Sequence, residues 1–225
     1  MHDRFAAIVP AYNAAARIGP VLQALTRQIP ADNIVVVDDG SRDETTAAAR
    51  RFGVHVLRTE DNRGKGAAIR SGIDFLAAHG PIDGVFMLDA DGQHDPEEIP
   101  AFIEAFSAGR GDIIIGNRMG DRCAMPALRV FTNRLTSAVV SGRAGQRIPD
   151  SQNGYRLIRA SLLTKLHLVS SRYEIDSELL IKGCHAGGIV ASVPTRTIYA
   201  GEKSAIHPVR DTMRFIVLVL RSFFW

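Results

Sequence analysis

The stretch NIVVVDDGSRDETTAAARRFGVHVLR, residues 33–58, decides the fold. Two valine-rich apolar runs, NIVVVD and VHVLR, enclose the alanine-rich segment ETTAAARRF, which has a helical pattern. A strand, a helix and a second strand of these lengths form a βαβ unit, in which the strands are parallel and the crossover is right-handed. The stretch therefore predicts part of a parallel sheet that is covered by helices.

The same alternation continues on both sides of this stretch. FAAIV precedes it, and GVFML and DIIIG follow it, with the helical pattern GAAIRSGIDFLAAH in between. We therefore expect an α/β fold with a mainly parallel central sheet, flanked by helices, over roughly residues 5–116. A chain of 225 residues, 46% of them hydrophobic, provides one sizeable core, so residues 1–225 are expected to form a single domain. The Gly/Arg-rich segment SGRAGQRIPDSQNG, residues 141–154, is predicted to be a long loop.

Composition argues against several classes of protein. The 27 basic and 24 acidic residues give a net charge of only +3, which argues against a purely electrostatic nucleic-acid binder. Cys123 and Cys184 are far apart, so they indicate neither a zinc site nor a disulfide framework and favour a reducing cytoplasm. MHDRFAAIVPAYN lacks the features of a signal peptide, and no run of 18 apolar residues predicts a membrane span.

Polar clusters follow three of the predicted strands: PAYN, DDGSRD and DADGQH. In parallel sheets ligands bind beyond the carboxyl ends of the strands, so the three clusters are expected to face one crevice. Ser41 and Glu44 fit a capping box at the start of a helix. Asp38 and Asp39 are adjacent carboxylates that repel each other, and we expect ligand contact for them, with capping or solvation as the alternative.

The segment FMLDADGQHDPEEIP, residues 86–100, predicts a divalent metal site. Asp95 and the proline after it start a helix, but Asp89 and Asp91 alternate along a strand and therefore point to the same side. Two such carboxylates, with Gln93 as a neutral oxygen ligand, suit Mg²⁺ or Mn²⁺ beside a diphosphate. His94 is either a site residue or a loop histidine.

Other enzyme classes fit the same segment less well. In a phosphohydrolase of the haloacid dehalogenase type, LDADG would provide Asp89 as nucleophile and Asp91 as acid/base. That motif normally opens the first strand and continues with Thr or Val, where this chain has three preceding βα units and Gln93. A dinucleotide-binding fingerprint is incomplete, because GKGAAIR has only two of its three glycines. A catalytically idle nucleotide-sugar binding subunit is a further alternative.

Taken together, the motifs resemble those of family 2 glycosyltransferases with the GT-A fold, most closely the branch of dolichyl-phosphate mannose synthase and bacterial polyprenyl-phosphate glycosyltransferases. The resemblance extends over nearly the whole chain, in the family's order: VPAYN (9–13), DDGSRD (38–43), NRGKGAA (62–68), DADGQHDPE (89–97), GNR (116–118), DSQNGYR (150–156), YEIDSELLIK (173–182) and GEKS (201–204). It implies a metal-dependent hexosyltransferase that inverts the anomeric centre and uses a nucleotide diphosphate sugar, UDP- or GDP-linked.

The resemblance also implies roles for individual residues. Asp89, Asp91 and Gln93 are expected to hold the metal, with Asp91 also counted as catalytic. Asp176 and Glu178 match a pair of family carboxylates and are candidate bases for a hydroxyl acceptor, or else ordinary charges at a helix start. Ala14 stands where the family often has Glu, so one donor contact is missing. The implied donor-site residues are Pro10, Ala11, Tyr12, Asp38, Asp39, Lys65, Asp89, Ala90 and Arg118.

The acceptor is expected to be a lipid and is predicted to be a polyprenyl phosphate, with a hydroxylated lipid or another hydroxyl compound as the alternative. A phosphate monoester is already anionic at neutral pH and needs cations rather than a base. Six arginines between positions 117 and 147 face one acid, Asp121, which leaves a surplus of five positive charges; an ordinary solvated face would look the same. The acceptor-binding candidates are Arg118, Arg129, Arg134 and Lys203.

The C-terminal segment HPVRDTMRFIVLVLRSFFW, residues 207–225, interleaves arginines with aliphatic and aromatic residues. This pattern predicts a helix that lies in the membrane interface, with docking on the core or a dimer contact as alternatives. We therefore expect a cytoplasmic protein attached peripherally to the inner face of the cell membrane. The sequence leaves the oligomeric state open.

Overall fold

The computed structural model describes residues 2–120, 127–196, 198 and 208–225, with side chains described outside 127–129 and 208–209. Its strands are β1 (Phe5–Ala11), β2 (Ile34–Asp38), β3 (His55–Arg58), β4 (Gly84–Met87), β5 (Ile113–Asn117), β6 (Arg156–Arg159) and β7 (Val190–Pro194). Its α-helices are α1 (Ala15–Gln28), α2 (Thr45–Arg50), α3 (Lys65–Ala77), α4 (Ile99–Ser107), α5 (Ala127–Ala144), α6 (Ala160–Leu163), α7 (Ile175–His185) and α8 (Pro208–Arg221).

The strands form one sheet in the order β3-β2-β1-β4-β6-β5-β7. All neighbouring pairs are parallel except the two that involve β6, which runs antiparallel to β4 and to β5. The five strands expected from the sequence are all present, and the βαβ unit of residues 33–58 forms β2, α2 and β3. This confirms the mainly parallel α/β fold. The sheet is larger than predicted, because β6 and β7 follow residue 116.

Apolar side chains cover both faces of the sheet. Along β1, Ala7 and Val9 face the layer that contains α1 and α4, whereas Ala6 and Ile8 face the layer that contains α3 and α7. Strands buried on both faces have nearly continuous apolar sequences, which explains the unbroken run IVVV in β2. The polar clusters are thereby restricted to the strand ends.

Two local expectations from the sequence were wrong. Helix α5 continues to Ala144, four residues into the predicted loop, and is tied there by Ser141, whose hydroxyl donates to Ser137 O and accepts from Ile148 N. The capping box is absent as well. The hydroxyl of Ser41 accepts from Asn13 N instead, and so joins two loops at the carboxyl end of the sheet.

Among the described residues, none of the helices is both long enough and apolar enough to cross a membrane.

Candidate active site

Lys65, the first residue of α3, lies between two carboxylates at the carboxyl end of the sheet. Its Nζ is 2.8 Å from Oδ1 of Asp89 and 3.1 Å from Oδ2 of Asp176. Asp89 follows β4, and Asp176 lies in the first turn of α7, so three elements that are distant in sequence meet at one ammonium group. Only 12% of the Lys65 side chain is exposed.

The glycines of NRGKGAA explain how Lys65 reaches this position. Gly64 has a φ of +99°, and a Cβ on it would lie 2.3 Å from the carbonyl oxygen of Ser171. A Cβ on Gly66 would lie 2.3 Å from the carbonyl oxygen of Ser170, and Gly66 N donates to Ser171 O over 2.9 Å. Since a side chain at either position would push the loop at 170–171 away, the two glycines allow α3 to start against it.

Arg156, at the start of β6, supports Asp176 from the interior. Its guanidinium is fully buried and donates to the carbonyl oxygens of Ser151, Asn153 and Asp176. One of its nitrogens also lies 3.8 Å from Oδ1 of Asp176, so this carboxylate has a cation on each side. The sequence reasoning assigned no role to Arg156; its only signal was an arginine directly before an apolar strand within DSQNGYR.

Gly154 forms one wall of this cluster. A Cβ built on it would be 2.8 Å from Nζ of Lys65 and 2.9 Å from Oδ2 of Asp89. The loop before β6 therefore passes against the ion pair itself, and a side chain at this position would shift Lys65 or Asp89. This contact was also missed from the sequence.

The electrostatics of the cluster favour the fully ionised pair. Burial alone lowers the pKa of Lys65, but the carboxylates of Asp176 and Asp89 outweigh it and raise the pKa above its usual value. Burial raises the pKa of Asp89, but the positive charge of Lys65 lowers it by more, so the net result is a depressed pKa. Lys65 is therefore a permanent cation at neutral pH.

His94 positions the backbone of Asp89 and does not present a free ring to the crevice. Its Nδ1 accepts a hydrogen bond from Asp89 N over 3.1 Å, and its ring stacks on Tyr155 with centroids 5.2 Å apart. Burial lowers the pKa of His94 to about 4, so the imidazole is neutral. Tyr155 in turn donates to Asp95 O and holds the end of the same loop.

Asp91 and Gln93 lie beside Asp89, half-buried at the crevice. Oδ1 of Asp91 accepts from Gln93 N over 2.9 Å, so the two residues form one tight turn. Asp95 accepts from Glu97 N, as expected for the residue that starts the next helical turn.

The donor set fits a divalent ion that arrives with a diphosphate. Within the described part of the chain, no group of three or more His, Cys, Asp or Glu side chains forms a complete metal cage. Mg²⁺ and its analogues do not need one, because they are commonly held by one or two carboxylates together with waters and substrate phosphates. Asp89 is 30% exposed and has Asp91 two positions away, which meets this requirement.

In the structure Asp38 contacts groups of the protein itself and does not face the crevice, contrary to the expectation of ligand contact. Asp38 is fully buried and accepts from Ser41 N and from the hydroxyl of Thr46. Its side chain therefore has no surface with which to contact a base or ribose. Asp39 is 4% exposed and accepts from the backbone N–H groups of Arg63 and Gly64, at 2.8 and 2.6 Å. It thus holds the segment that leads into Lys65.

The remaining donor-site candidates lie at the end of β1 and after β4. Pro10 is half-buried and Ala11 is buried, whereas Tyr12 exposes 47% of its surface. Ala90, between the two aspartates, is buried. The exposed ring of Tyr12 therefore provides a flat apolar surface at the end of β1.

Arg118 is held by Asp150 rather than pointing freely into the crevice. Its Nε and Nη2 donate to the two oxygens of Asp150 over 2.8 and 2.9 Å, and Asn133 on α5 donates to the same carboxylate. Asp150 is fully buried, and although burial raises its pKa, these donors lower it below the usual value.

The other expected acceptor residues divide into two groups. Arg134 is exposed on α5, whereas the side chains of Arg129 and Lys203 lie outside the described residues.

Glu178 is not a candidate base, which corrects the expectation from the family motif. It is fully buried and accepts from the backbone N–H groups of Val169 and Ser170. Nζ of Lys182 lies 2.6 Å from the same carboxylate. Residues two apart on a helix point to different sides, so Glu178 supports the loop at 169–170 while Asp176 faces Lys65.

Helix α8 is docked on the protein through one face and exposes an apolar face. Leu218 is buried, and Phe215 packs against the core layer that contains α3 and α7. At its end, Arg143 of α5 donates to the hydroxyl and carbonyl oxygens of Ser222 and lies over the ring of Phe223, 3.8 Å from its centroid. The exposed apolar side chains of α8 and of the residues after it are Met213, Ile216, Val217, Leu220, Phe223, Phe224 and Trp225.

The sheet order, the Asp-x-Asp pair after β4 and the buried lysine against it agree with the GT-A fold expected from the sequence motifs. The chain belongs to the family described as Glycosyl transferase family 2, which it matches over residues 6–166. The phosphohydrolase alternative is therefore wrong.

Relatives and solved structures agree with this assignment. The chain is 30% identical to the polyprenol monophosphomannose synthase of Mycolicibacterium smegmatis, over 85% of this chain and 76% of that protein. It is also 30% identical to the UDP-N-acetylglucosamine–dolichyl-phosphate N-acetylglucosaminyltransferase of Methanococcus voltae, over 85% of this chain and 84% of that protein. The fold is similar to glucosyl-3-phosphoglycerate synthase from Mycobacterium tuberculosis in complex with UDP, with a TM-score of 0.75, 21% identity, and coverage of 98% and 80%. Further structures of that enzyme contain Mn²⁺ with UDP-glucose.

Proposed function

We propose that the protein transfers a hexosyl group from a nucleotide diphosphate sugar to a polyprenyl phosphate, with inversion, at a membrane surface. The observation that carries the proposal is the arrangement of Asp89, Asp91 and Lys65 at the carboxyl end of the sheet. The Asp89 carboxylate meets a buried ammonium there, with Asp91 two positions further along the chain, and carboxylates with a divalent ion and an ammonium are both suited to a diphosphate.

In this proposal the nucleoside lies over the end of β1. Tyr12 provides the exposed ring, and Pro10 and Ala11 provide the strand end beneath it. Asp39 contributes indirectly, because its carboxylate fixes the N–H groups of Arg63 and Gly64 next to Lys65. Lys65 then faces the diphosphate.

Asp89, Asp91 and Gln93 are the residues that would hold Mg²⁺ or Mn²⁺. Such an ion, when bound, neutralises charge on the departing diphosphate. The chain's own contribution is to fix the Asp89 backbone through His94 and to place the Lys65 ammonium on the inner side of the carboxylate. These contacts pre-organise the site before the donor arrives.

The acceptor is proposed to be a phosphate because Asp176 is already engaged. Lys65 and Arg156 lie on either side of its carboxylate, and only 12% of the side chain is exposed. A lipid phosphate carries anionic oxygens at neutral pH and needs no base. One of these oxygens attacks the anomeric carbon opposite the diphosphate. The new C–O bond forms as the bond to the diphosphate breaks, and the electron pair leaves with the nucleoside diphosphate.

A hydroxyl acceptor is the second candidate. It would require a base to remove a proton, and Asp176 is the carboxylate available for this role once Glu178 is assigned to the loop. Asp176 would first have to exchange its contact with Lys65.

The proposed membrane surface is the exposed face of α8. Met213, Ile216, Val217 and Leu220 follow the spacing of one helix face, and the exposed Arg210 and Arg221 flank it. Apolar side chains bordered by arginines are suited to anionic lipid headgroups. Peripheral attachment at the cytoplasmic face would present the site to a lipid acceptor.

The test is a transfer assay with UDP- and GDP-linked hexoses, using a polyprenyl phosphate and the matching polyprenol as acceptors. We expect transfer to the phosphate, dependence on Mg²⁺ or Mn²⁺, and loss of turnover in Asp91→Asn with an unchanged circular dichroism spectrum. Transfer to the polyprenol alone would overturn the phosphate assignment in favour of the hydroxyl acceptor. Full activity of Asp91→Asn would overturn the metal assignment.

A further inference from the structure

The Lys65 ammonium occupies the inner side of the same carboxylate that is proposed to hold the divalent ion. Nζ is 2.8 Å from Oδ1 of Asp89, a full salt-bridge contact, and the pair is closed on one side by Gly154. Lys65 also lies 3.1 Å from Asp176, so it can release Asp89 and keep a carboxylate partner without leaving the site.

The charge balance of the cluster depends on this lysine. Lys65 contacts Asp89 and Asp176, and Arg156 lies beside Asp176, so the charges of these four residues cancel. A divalent ion on its own would leave two net positive charges in a poorly exposed site. A divalent ion that arrives with an anionic diphosphate would not, because the diphosphate supplies the opposing charge.

We infer that Lys65 competes with the divalent ion for Asp89, and that the protein therefore takes up the metal together with the nucleoside diphosphate rather than before it. The inference rests on the proposed function, since it concerns the same metal and donor site. It assigns to Lys65 a positioning role in the donor-free protein: holding Asp89 and Asp176 together. On donor binding Lys65 keeps Asp176 and turns toward the diphosphate.

Lys65→Met tests the inference because methionine preserves much of the chain length and removes the charge. Without Lys65 the remaining residues of the cluster, Asp89, Asp176 and Arg156, carry one net negative charge, and Asp89 loses its internal partner. We expect Mn²⁺ alone, titrated by calorimetry and by electron paramagnetic resonance of the free ion, to bind Lys65→Met at least about tenfold more tightly than the wild type. Adding UDP or GDP should strengthen Mn²⁺ binding less in the variant than in the wild type.

Three controls make the comparison specific. Lys165→Met removes an exposed lysine outside the site and should leave Mn²⁺ binding at the wild-type level. Lys65→Met combined with Asp89→Asn should lose the gain, because the gain is attributed to Asp89. Lys65→Arg keeps the cation and should bind Mn²⁺ alone as weakly as the wild type.

The wild-type protein provides an independent test if Lys65→Met does not fold. Its affinity for Mn²⁺ should rise at least about tenfold when the nucleotide is present. Equal affinity with and without nucleotide, or no gain in a folded Lys65→Met, would overturn the role of Lys65 while leaving the donor site intact. Failure of the wild type to bind either nucleotide with Mn²⁺ would instead overturn the proposed function.

Discussion

Arg118 and Asp150 form a bidentate ion pair that joins the end of β5 to the loop before β6. Asp150 is fully buried, and Arg118 is 16% exposed. The pair therefore resembles an interior contact, although Arg118 belongs to a motif expected to contact substrate.

Asp150→Asn should consequently reduce stability substantially. It leaves the Arg118 guanidinium poorly solvated without its carboxylate, which costs about 3 kcal/mol for buried pairs. The matched control is Asp83→Asn, which breaks the exposed pair between Arg4 and Asp83 and should cost less than about 1 kcal/mol. Urea denaturation of both variants measures the difference, and equal losses would contradict an interior role for Asp150.

Gly154→Ala should impair activity more than stability. The new Cβ would meet both Lys65 and Asp89, at 2.8 and 2.9 Å, and so displace the central ion pair. A displacement of about 1 Å at a reacting centre costs about a hundredfold in rate. Gly142→Ala is the control, because its Cβ would have no neighbour within 4 Å on α5, and Ala is favoured there by roughly 0.5–1 kcal/mol. Steady-state kcat/KM checks this prediction. Wild-type turnover in Gly154→Ala would show that Gly154 is not packed against the ion pair of Lys65 and Asp89.

Glu178 predicts a defined loss of stability in acid. Burial raises the pKa of Glu178, but Lys182 and the backbone donors outweigh it and depress the pKa below 4.5. A carboxyl group whose folded pKa is depressed stabilises the protein above its unfolded pKa, and this contribution is lost as pH falls through the folded value.

Glu178→Gln should therefore lower the free energy of unfolding by about 2 kcal/mol at neutral pH. The difference from wild type should shrink as the pH drops below 4.5. Urea titrations over this pH range measure it, with the exposed Glu60→Gln as a control that should track the wild type. A pH-independent difference would show that ionisation of Glu178 is not involved.

The exposed face of α8 predicts binding to anionic vesicles. Replacing both Met213 and Leu220 by Gln removes two of its apolar side chains, and each buried side chain of this size contributes about 1.5 kcal/mol or more. Cosedimentation with vesicles containing anionic lipid should weaken by more than about tenfold. Ile189→Gln is the control: this isoleucine is 56% exposed and lies outside α8, beside the start of β5.

Unchanged vesicle binding of the double variant would indicate that the exposed face of α8 does not bind lipid. A shift of the wild type to a dimer in analytical ultracentrifugation, abolished in the double variant, would assign the face to a second copy.

The sequence by itself determined the sheet as far as about residue 116, and it also determined the family. Continuous apolar runs such as IVVV require burial on both faces, and the polar residues after them, including Asp89 and Asp91, were therefore restricted to one edge. It also marked α8, because apolar residues and arginines alternate with a helical period. These patterns involve residues that are close together in the chain, so they can be recognised in the sequence alone.

Only the tertiary structure decided which charged groups meet. Lys65, Asp89, Asp176 and Arg156 come from four separate elements, and no spacing in the chain states that they converge. The same reason explains why Asp38 and Glu178 were misjudged: their partners are backbone N–H groups of folded loops, which a sequence does not display. Strand periodicity fixes the face on which a carboxylate lies, but packing between distant elements determines whether its partner is a ligand or the protein itself.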